Sequence, residues 1–262
     1  LHTGAQTAVA TQGTSRFNPR FTLPSGEAML LAVGDDDNQQ QPPTLERLDL
    51  TGGRELLYPT DELGSSFSGS FLSTSDGTQL VLGSDAGSVV VMGNDGTVVR
   101  TLSVPGVNWC DPLRWWDGES GSTLLVHCGS NLADQPQLWL MPIDGGAPTA
   151  LTAPNSQGGD FNAWQVPAGT FVQTASQCST YVLEKLNADG TTSPVRVPGT
   201  DPGGSVFVIG VSDDNLIVRA AVSCGPGEAL IDYDPAANTS TVLLGPTVNG
   251  GSVTTAVAYP RQ

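Results

Sequence analysis

Short apolar runs alternate with polar, glycine-marked bends along the whole chain, and within the runs the bulky residues tend to fall at every second position. No stretch carries the three- and four-residue apolar spacing of an amphipathic helix over three turns or more, so the pattern predicts many short strands and almost no helix. Gln137 to Pro154 is its clearest instance. Leu138, Trp139 and Leu140 suit a pleated, half-buried surface, Asp144-Gly145-Gly146 supplies positive-φ positions for a tight turn, and Pro148 to Thr152 runs back as the second arm of a hairpin.

Two series of bends organise the rest. Pro24-Ser25-Gly26, Ser75-Asp76-Gly77, Asp117 to Gly121, Pro167-Ala168-Gly169 and Asp213-Asp214-Asn215 each separate two apolar runs and recur at roughly 44 to 51 residues. A second series follows at Gly52-Gly53, Asn94-Asp95-Gly96, Asp144-Gly145-Gly146, Ala188-Asp189-Gly190 and Pro235 to Asn238. Two bends per period mean four strands per repeat, the number of a propeller blade. In the unit from Gly159 to Pro198 the expected strands are Phe161 to Val166, Thr170 to Ala175, Tyr181 to Leu186 and Thr192 to Val197.

Gly158-Gly159, Gly203-Gly204 and Gly250-Gly251 open successive repeats, so Gly250 to Tyr259 starts a sixth unit that the chain does not finish. Leu1 to Gln12 has the character of a repeat ending, with Thr3-Gly4 standing where Thr51-Gly52 stands. Pairing strands from both chain ends would remove two exposed sheet edges. The expectation is therefore one domain over residues 1–262, an all-β, six-bladed propeller of four-stranded antiparallel blades whose last blade is composite. The alternative is five full blades with the terminal strands as an extra pair. Leu138 to Thr152, with Ser75-Asp76-Gly77 and Leu48 to Leu57, resembles the TolB-like propeller repeat, in which an apolar strand, a Ser-Pro-Asp-Gly turn, a second strand, a Leu-Trp/Tyr-Val strand and Asp-Gly-Gly-Glu-Pro…Leu-Thr follow in order. The same repeat occurs in the propeller domains of prolyl-oligopeptidase-type peptidases. The resemblance implies a six-bladed propeller; with no hydrolase domain attached, it does not imply a peptidase.

Charge narrows the partners. The net charge is −16 with 10 basic residues, Lys185 being the single lysine, which argues against nucleic acid and anionic lipid. No apolar run reaches membrane-spanning length, so direct membrane insertion of this chain is not expected, and Leu1 is not an initiator methionine, which leaves room for a removed signal or an anchor ahead of it. Cys110 and Cys128 are nearly equidistant from the bend around Glu119 and should face each other across one hairpin. Cys178 and Cys224 close equivalent strands of neighbouring repeats and are expected to bridge them. Disulfides imply an oxidising, extracytoplasmic compartment. A zinc site is disfavoured, since there is no Cys-x-x-Cys and His2 and His127 are the only histidines.

Catalytic motifs are missing: no His-Glu-x-x-His, no Gly-x-Ser-x-Gly and no phosphate-binding glycine loop occurs. His127 reads as a packed side chain. Alternating strand direction gathers Asp35-Asp36-Asp37-Asn38, Asp85, Asp111, Asp134 and Asp160 on the face that carries the cysteines, where they could line a channel mouth and hold calcium. Trp109 and Phe161 could line the same mouth, while Trp139, Trp164 and at least one of Trp115 and Trp116 belong to blade packing. Asp35, Asp36, Asp37, Asp85, Trp109, Asp160 and Phe161 are thus the candidate ligand contacts, with no catalytic residue and no resident cofactor assigned. The Asn238-Thr239-Ser240 sequon carries no weight if the source is bacterial, as arginine-over-lysine usage suggests. The favoured function is a monomeric, non-catalytic binding or sensor module for a protein, peptide or glycan. The alternative is a metal-dependent lactonase or hydrolase with carboxylates at the central channel.

Overall fold

The computed structural model describes residues 16–22, 27–33, 44–48, 54–59, 71–74, 77–84, 87–93, 95–116, 121–130, 136–154, 158–176, 180–222, 227–254 and 256, with side-chain burial from Leu72 onward except at 176. The described residues form twenty strands and no helix. They fall into consecutive sets of four. The first set is β1 (Arg16–Thr22), β2 (Glu27–Val33), β3 (Thr44–Leu48) and β4 (Arg54–Pro59). The second is β5 (Phe71–Ser73), β6 (Gln79–Ser84), β7 (Ser88–Gly93) and β8 (Val98–Ser103), and the third is β9 (Trp109–Trp115), β10 (Thr123–Gly129), β11 (Gln137–Pro142) and β12 (Thr149–Ala150). The fourth comprises β13 (Gly158–Val166), β14 (Gly169–Ser176), β15 (Tyr181–Leu186) and β16 (Thr192–Val195); the fifth comprises β17 (Val206–Ser212), β18 (Asn215–Ala221), β19 (Glu228–Asp234) and β20 (Thr239–Leu244). Within each set, strands that follow in sequence lie side by side, and a bridge from Ser84 to Cys110 merges the second and third sets into one eight-stranded sheet.

Three bends of the second series share one local mechanism; Gly52-Gly53 lies outside the described residues, and at Pro235 to Asn238 the Asp234 Oδ1 accepts the N–H groups of Ala236 and Ala237. In Asp95-Gly96-Thr97, Asp144-Gly145-Gly146 and Asp189-Gly190-Thr191 the aspartate Oδ1 accepts the backbone N–H two residues on, at 3.0 Å in each case. The glycine between takes φ of 83°, 97° and 82°, the left-handed position of a three-residue hairpin loop. At the first-series bend between β17 and β18 the loop has only two residues, and Asp213 itself adopts φ 53°.

The chain divides into two compact units, Leu1–Leu132 with Trp139–Thr149 and Ala133–Leu138 with Ala150–Gln262. In the first unit Val81, Val89, Val91, Leu102, Leu124, Val126 and Met141 bury together around Cys110 and Cys128, with Trp115 and Trp139 packed against them. β6 and β7 are buried at nearly every position, so this part of the sheet is covered on both faces. In the second unit Trp164, Phe171, Leu183, Val208, Leu216, Val218, Ile231 and Tyr233 form the core, and β18 and β19 show strict alternation of buried and half-buried residues. One buried side chain ties its two sheets directly: Gln173 on β14, 5% exposed, donates its amide to the carbonyl of Val206 and accepts the N–H of Val208 at 2.9 Å.

Gly158 and Gly159 lie inside β13 rather than in a link ahead of it. A Cβ on Gly158 would sit 2.0 Å from the carbonyl oxygen of Ala175, and one on Gly159 would sit 2.3 Å from the Pro136 ring, so only glycine admits this approach. Bulges mark both margins of the sets. In the first strands Leu113, Phe161 and Ile209 are extra residues with no partner opposite, and they are equally spaced in sequence. In the outer strands Leu57, Val99 and Leu243 are extra in the same sense. β16 carries Pro194 instead and β12 is only two residues long, so the outer edges each hold a feature that discourages strand addition.

Beyond β20, residues 251–254 form no strand. Val253 donates to the carbonyl of Glu228 at 2.8 Å and the Ser252 hydroxyl accepts the Glu228 N–H at 2.9 Å, tying the segment to the start of β19. Of the other residues assigned to a composite sixth blade, only 250 and 256 are among those described.

Candidate functional site

Within each set the starts of the first and third strands and the ends of the second and fourth share one end of the sheet, the end on which the sequence places its candidate contacts. Asp35, Asp36, Asp37, Asn38, Asp85 and Asp134 lie outside the described residues, as do Cys178 and Cys224. Trp109, Asp111, Asp160 and Phe161 are described, and they fall in different units.

In the first unit Cys110 and Cys128 pair directly across β9 and β10 and form a disulfide, with a Cα–Cα distance of 4.2 Å. The next pair along the ladder, Asp111 and His127, points to the opposite face, because alternate residues face opposite ways. His127 Nε2 lies 3.1 Å from Asp111 Oδ2, with side chains 14% and 18% exposed. Trp109 stands edge-on to the imidazole at 4.9 Å and covers Gly129, where a Cβ would meet the indole at 2.7 Å. Gly83 makes the matching space for Asp111, whose Oδ1 would lie 2.8 Å from any Cβ there. Two glycines thus seat a Trp–His–Asp group against the sheet. Arg114, just past the bulge, is held down to about 10 by burial, which still leaves it charged at neutral pH.

In the second unit Asp160 is 1% exposed. Its N–H donates to the Pro136 carbonyl at 2.9 Å, and its Oδ1 lies 3.2 Å from the Thr174 hydroxyl on β14, which has Glu184 Oε2 as a second acceptor at 3.3 Å. Phe161, the next residue, faces the other way, onto Tyr181 at 5.9 Å between ring centroids. Tyr181 lies on Phe207 at 4.3 Å, and the guanidinium of Arg219 sits over Phe207 at 4.8 Å. Arg219 Nε is 2.9 Å from Glu228 Oε2, an ion pair by distance that is bent too far to be a hydrogen bond, while its Nη1 donates to the Thr254 carbonyl at 2.7 Å. Phe161, Tyr181, Phe207 and Arg219 are all half-buried, so a face of this row meets solvent. Phe161 was among the sequence candidates; Phe207, which lies in the first strand of the next repeat as Phe161 does in its own, carried the same signal and was missed, whereas Tyr181 begins a third strand and carried none. Among the described residues no group of three or more His, Cys, Asp or Glu side chains is placed to hold a metal.

The described strands form antiparallel sets of four in series, the pattern of propeller blades. No protein-family profile matches the chain, and no curated protein does. Solved structures match in fold. A TolB candidate from Agrobacterium tumefaciens superposes with TM-score 0.54 at 17% identity, covering 87% of this chain and 80% of that one. TolB from Acinetobacter baumannii gives 0.52 at 14% identity over 85% of this chain and 52% of that one. Oligopeptidase B from Trypanosoma brucei gives 0.57 at 15% identity over 88% of this chain and 34% of that one. The chain therefore spans about half of the A. baumannii protein and about a third of the oligopeptidase. At such identities the likeness is one of fold: the chain has a TolB-like β-propeller fold.

Proposed function

We propose that the chain is an extracytoplasmic propeller of six four-stranded blades, the sixth built from both chain ends, that works as a monomeric, non-catalytic binding or sensor module for a protein, peptide or glycan. What carries this reading is the use of side chains at one end of the second unit: the Asp160 carboxylate is buried beside the Thr174 hydroxyl, while Phe161, Tyr181 and Phe207 stay half-open beside Arg219. Aromatic surface next to a guanidinium is the composition of recognition sites, whereas calcium needs carboxylate oxygens free to coordinate. The Cys110–Cys128 bridge supports an oxidising location. The test is a thermal-shift scan with calcium, zinc and EDTA, run beside peptide and glycan arrays on the wild type and Tyr181→Ala. Array binding that weakens in the variant, without a metal response, is expected. Stabilisation by calcium of several degrees with silent arrays would overturn the reading in favour of the metal-dependent lactonase or hydrolase.

A further inference from the structure

β20 runs into a turn that carries the single Asn-Gly pair of the sequence, Asn249-Gly250. The turn closes on Gly245, whose carbonyl accepts the N–H groups of Val248 and Asn249, each at 3.0 Å. Gly245 is itself packed on β19, where a Cβ would lie 2.7 Å from that of Ala229. Beyond the turn, Ser252 and Val253 bond to Glu228, and the Thr254 carbonyl accepts Arg219 Nη1 at 2.7 Å. Asn249 and Gly250 therefore join two anchored pieces of chain.

The joint places unusual demands on the Asn249 side-chain amide. Its Oδ1 accepts two backbone N–H groups, from Gly245 at 3.1 Å and from Gly251 at 3.3 Å. Reaching the N–H two residues on folds the side chain over the intervening Gly250 peptide. Gly250, at φ 73°, brings no side chain to screen its nitrogen, and the place where a Cβ would stand is open, with nothing within 4 Å. Both residues are exposed to water. Every other asparagine of the chain precedes a residue that has a side chain. Asp95, Asp144 and Asp189 make the same kind of bend ahead of a glycine, but each presents a carboxylate, whose charge repels a nucleophile where an amide carbon accepts one.

We propose that Asn249 is a site of spontaneous modification, converted to aspartate and isoaspartate in the folded protein; the inference goes beyond the binding-module reading and does not need it. The Gly250 amide gives up its proton to water and its nitrogen attacks Asn249 Cγ. Negative charge gathers on Oδ1, at which the Gly245 and Gly251 N–H groups already point. The bond from Cγ to the side-chain nitrogen then breaks, the nitrogen takes up a proton and leaves as ammonia, and a five-membered succinimide remains. Water opens the ring at either carbonyl, so the reaction needs no oxidant and no enzyme. Opening at the side-chain carbonyl gives aspartate, which keeps an oxygen for both N–H donors. Opening at the main-chain carbonyl gives isoaspartate, which routes the backbone through the side chain and lengthens it by one methylene between the two anchored pieces. The longer link frees residues 252–254 from Glu228 and Arg219, and since Arg219 stands over Phe207 the change reaches the aromatic row.

The experiment ages the full chain at neutral pH beside a peptide of residues 247–252 blocked at both ends, and follows position 249 by peptide mapping that separates aspartyl from isoaspartyl forms. The folded chain should react about two- to tenfold faster than the peptide, a small part of what such donors contribute in sites closed to water. A rate no greater than that of the peptide would overturn the proposal, since the turn would then shelter the amide. Hydrogen exchange compares the aged protein with Asn249→Asp, which stands for the other product. The Val253 and Glu228 N–H groups should exchange faster in a fraction of the aged protein equal to its isoaspartyl content, and in Asn249→Asp they should exchange as in fresh wild type. Unchanged exchange after ageing, or the same acceleration in Asn249→Asp, would overturn the release assigned to the added methylene.

Discussion

Replacing Gln173 by methionine keeps most of the side-chain volume and removes both of its hydrogen bonds. The side-chain amide donates to the carbonyl of Val206 and accepts from the N–H of Val208, flanking Phe207 as one residue of a parallel neighbouring strand would. Val206 and Val208 are each 8% exposed, so water has little access to the two groups left behind. An unsatisfied buried backbone group costs about 1–3 kcal/mol, and allowing for partial recovery the pair should cost about 3 kcal/mol. For a protein of this size that corresponds to a fall of roughly 6–12 °C in the unfolding midpoint. Urea titration followed by tryptophan fluorescence measures it, with Trp164 in the same core as the reporter. Gln173→Glu gives an independent reading. Its carboxylate can still accept from Val208 but faces the Val206 carbonyl, so burial and that oxygen should raise its folded-state pKa above the unfolded value. The protonated acid can donate as the amide does, so the deficit should be smallest below the unfolded pKa and grow as pH rises through the folded one. A methionine variant within about 0.5 kcal/mol of wild type, the size of an ordinary surface change, would refute the argument that this amide completes the strand.

Three further outcomes follow from local geometry. Asp213 sits at φ 53°, so Asp213→Gly should leave stability level or higher while Asp213→Val should cost about 1–2 kcal/mol by chemical denaturation. The Asp189 carboxyl is held below its usual range by the Thr191 hydroxyl at 2.6 Å and the Thr191 N–H at 3.0 Å. Its contribution to stability is therefore present above the ordinary value of 3.8 and lost as pH falls through the lower folded-state value. Asp189→Asn should make the acid limb of a midpoint-against-pH profile shallower, and an unchanged limb would count against the assignment. Removing the disulfide with Cys110→Ala and Cys128→Ala together should cost about 3 kcal/mol for a loop of this length, read by denaturation with and without reductant. Non-reducing peptide mapping should recover the Cys110–Cys128 pair and tests the Cys178–Cys224 pair in the same run.

What the sequence showed plainly was whatever its neighbours in sequence determine. An aspartate followed by a glycine makes its own turn, so Asp95, Asp144 and Asp189 were readable without knowing the sheet, and β15 begins and ends at Tyr181 and Leu186 as the pattern required. Cys110 and Cys128 could be paired because a single hairpin fixes which residues face each other. The bulges could not be seen, since an extra residue at Leu113, Phe161 or Ile209 reflects how a strand fits its neighbour, which the residues of the strand do not state. Nothing in the sequence around Gln173 marks its partners, which stand 33 and 35 residues further along the chain. The grouping of side chains was hidden for the same reason: Phe161 meets Tyr181 and Tyr181 meets Phe207, and the three come from separate strands.

The recurrence of an unopposed residue in the first strands has a practical reach. At Leu113, Phe161 and Ile209 a side chain can be exchanged without disturbing a cross-strand partner, because there is none to disturb. These are three interchangeable mounting points on a common repeat, where a new contact residue could be installed by library selection while the surrounding ladders keep their alignment. Variation at these positions can accordingly proceed without first renegotiating how the strands fit.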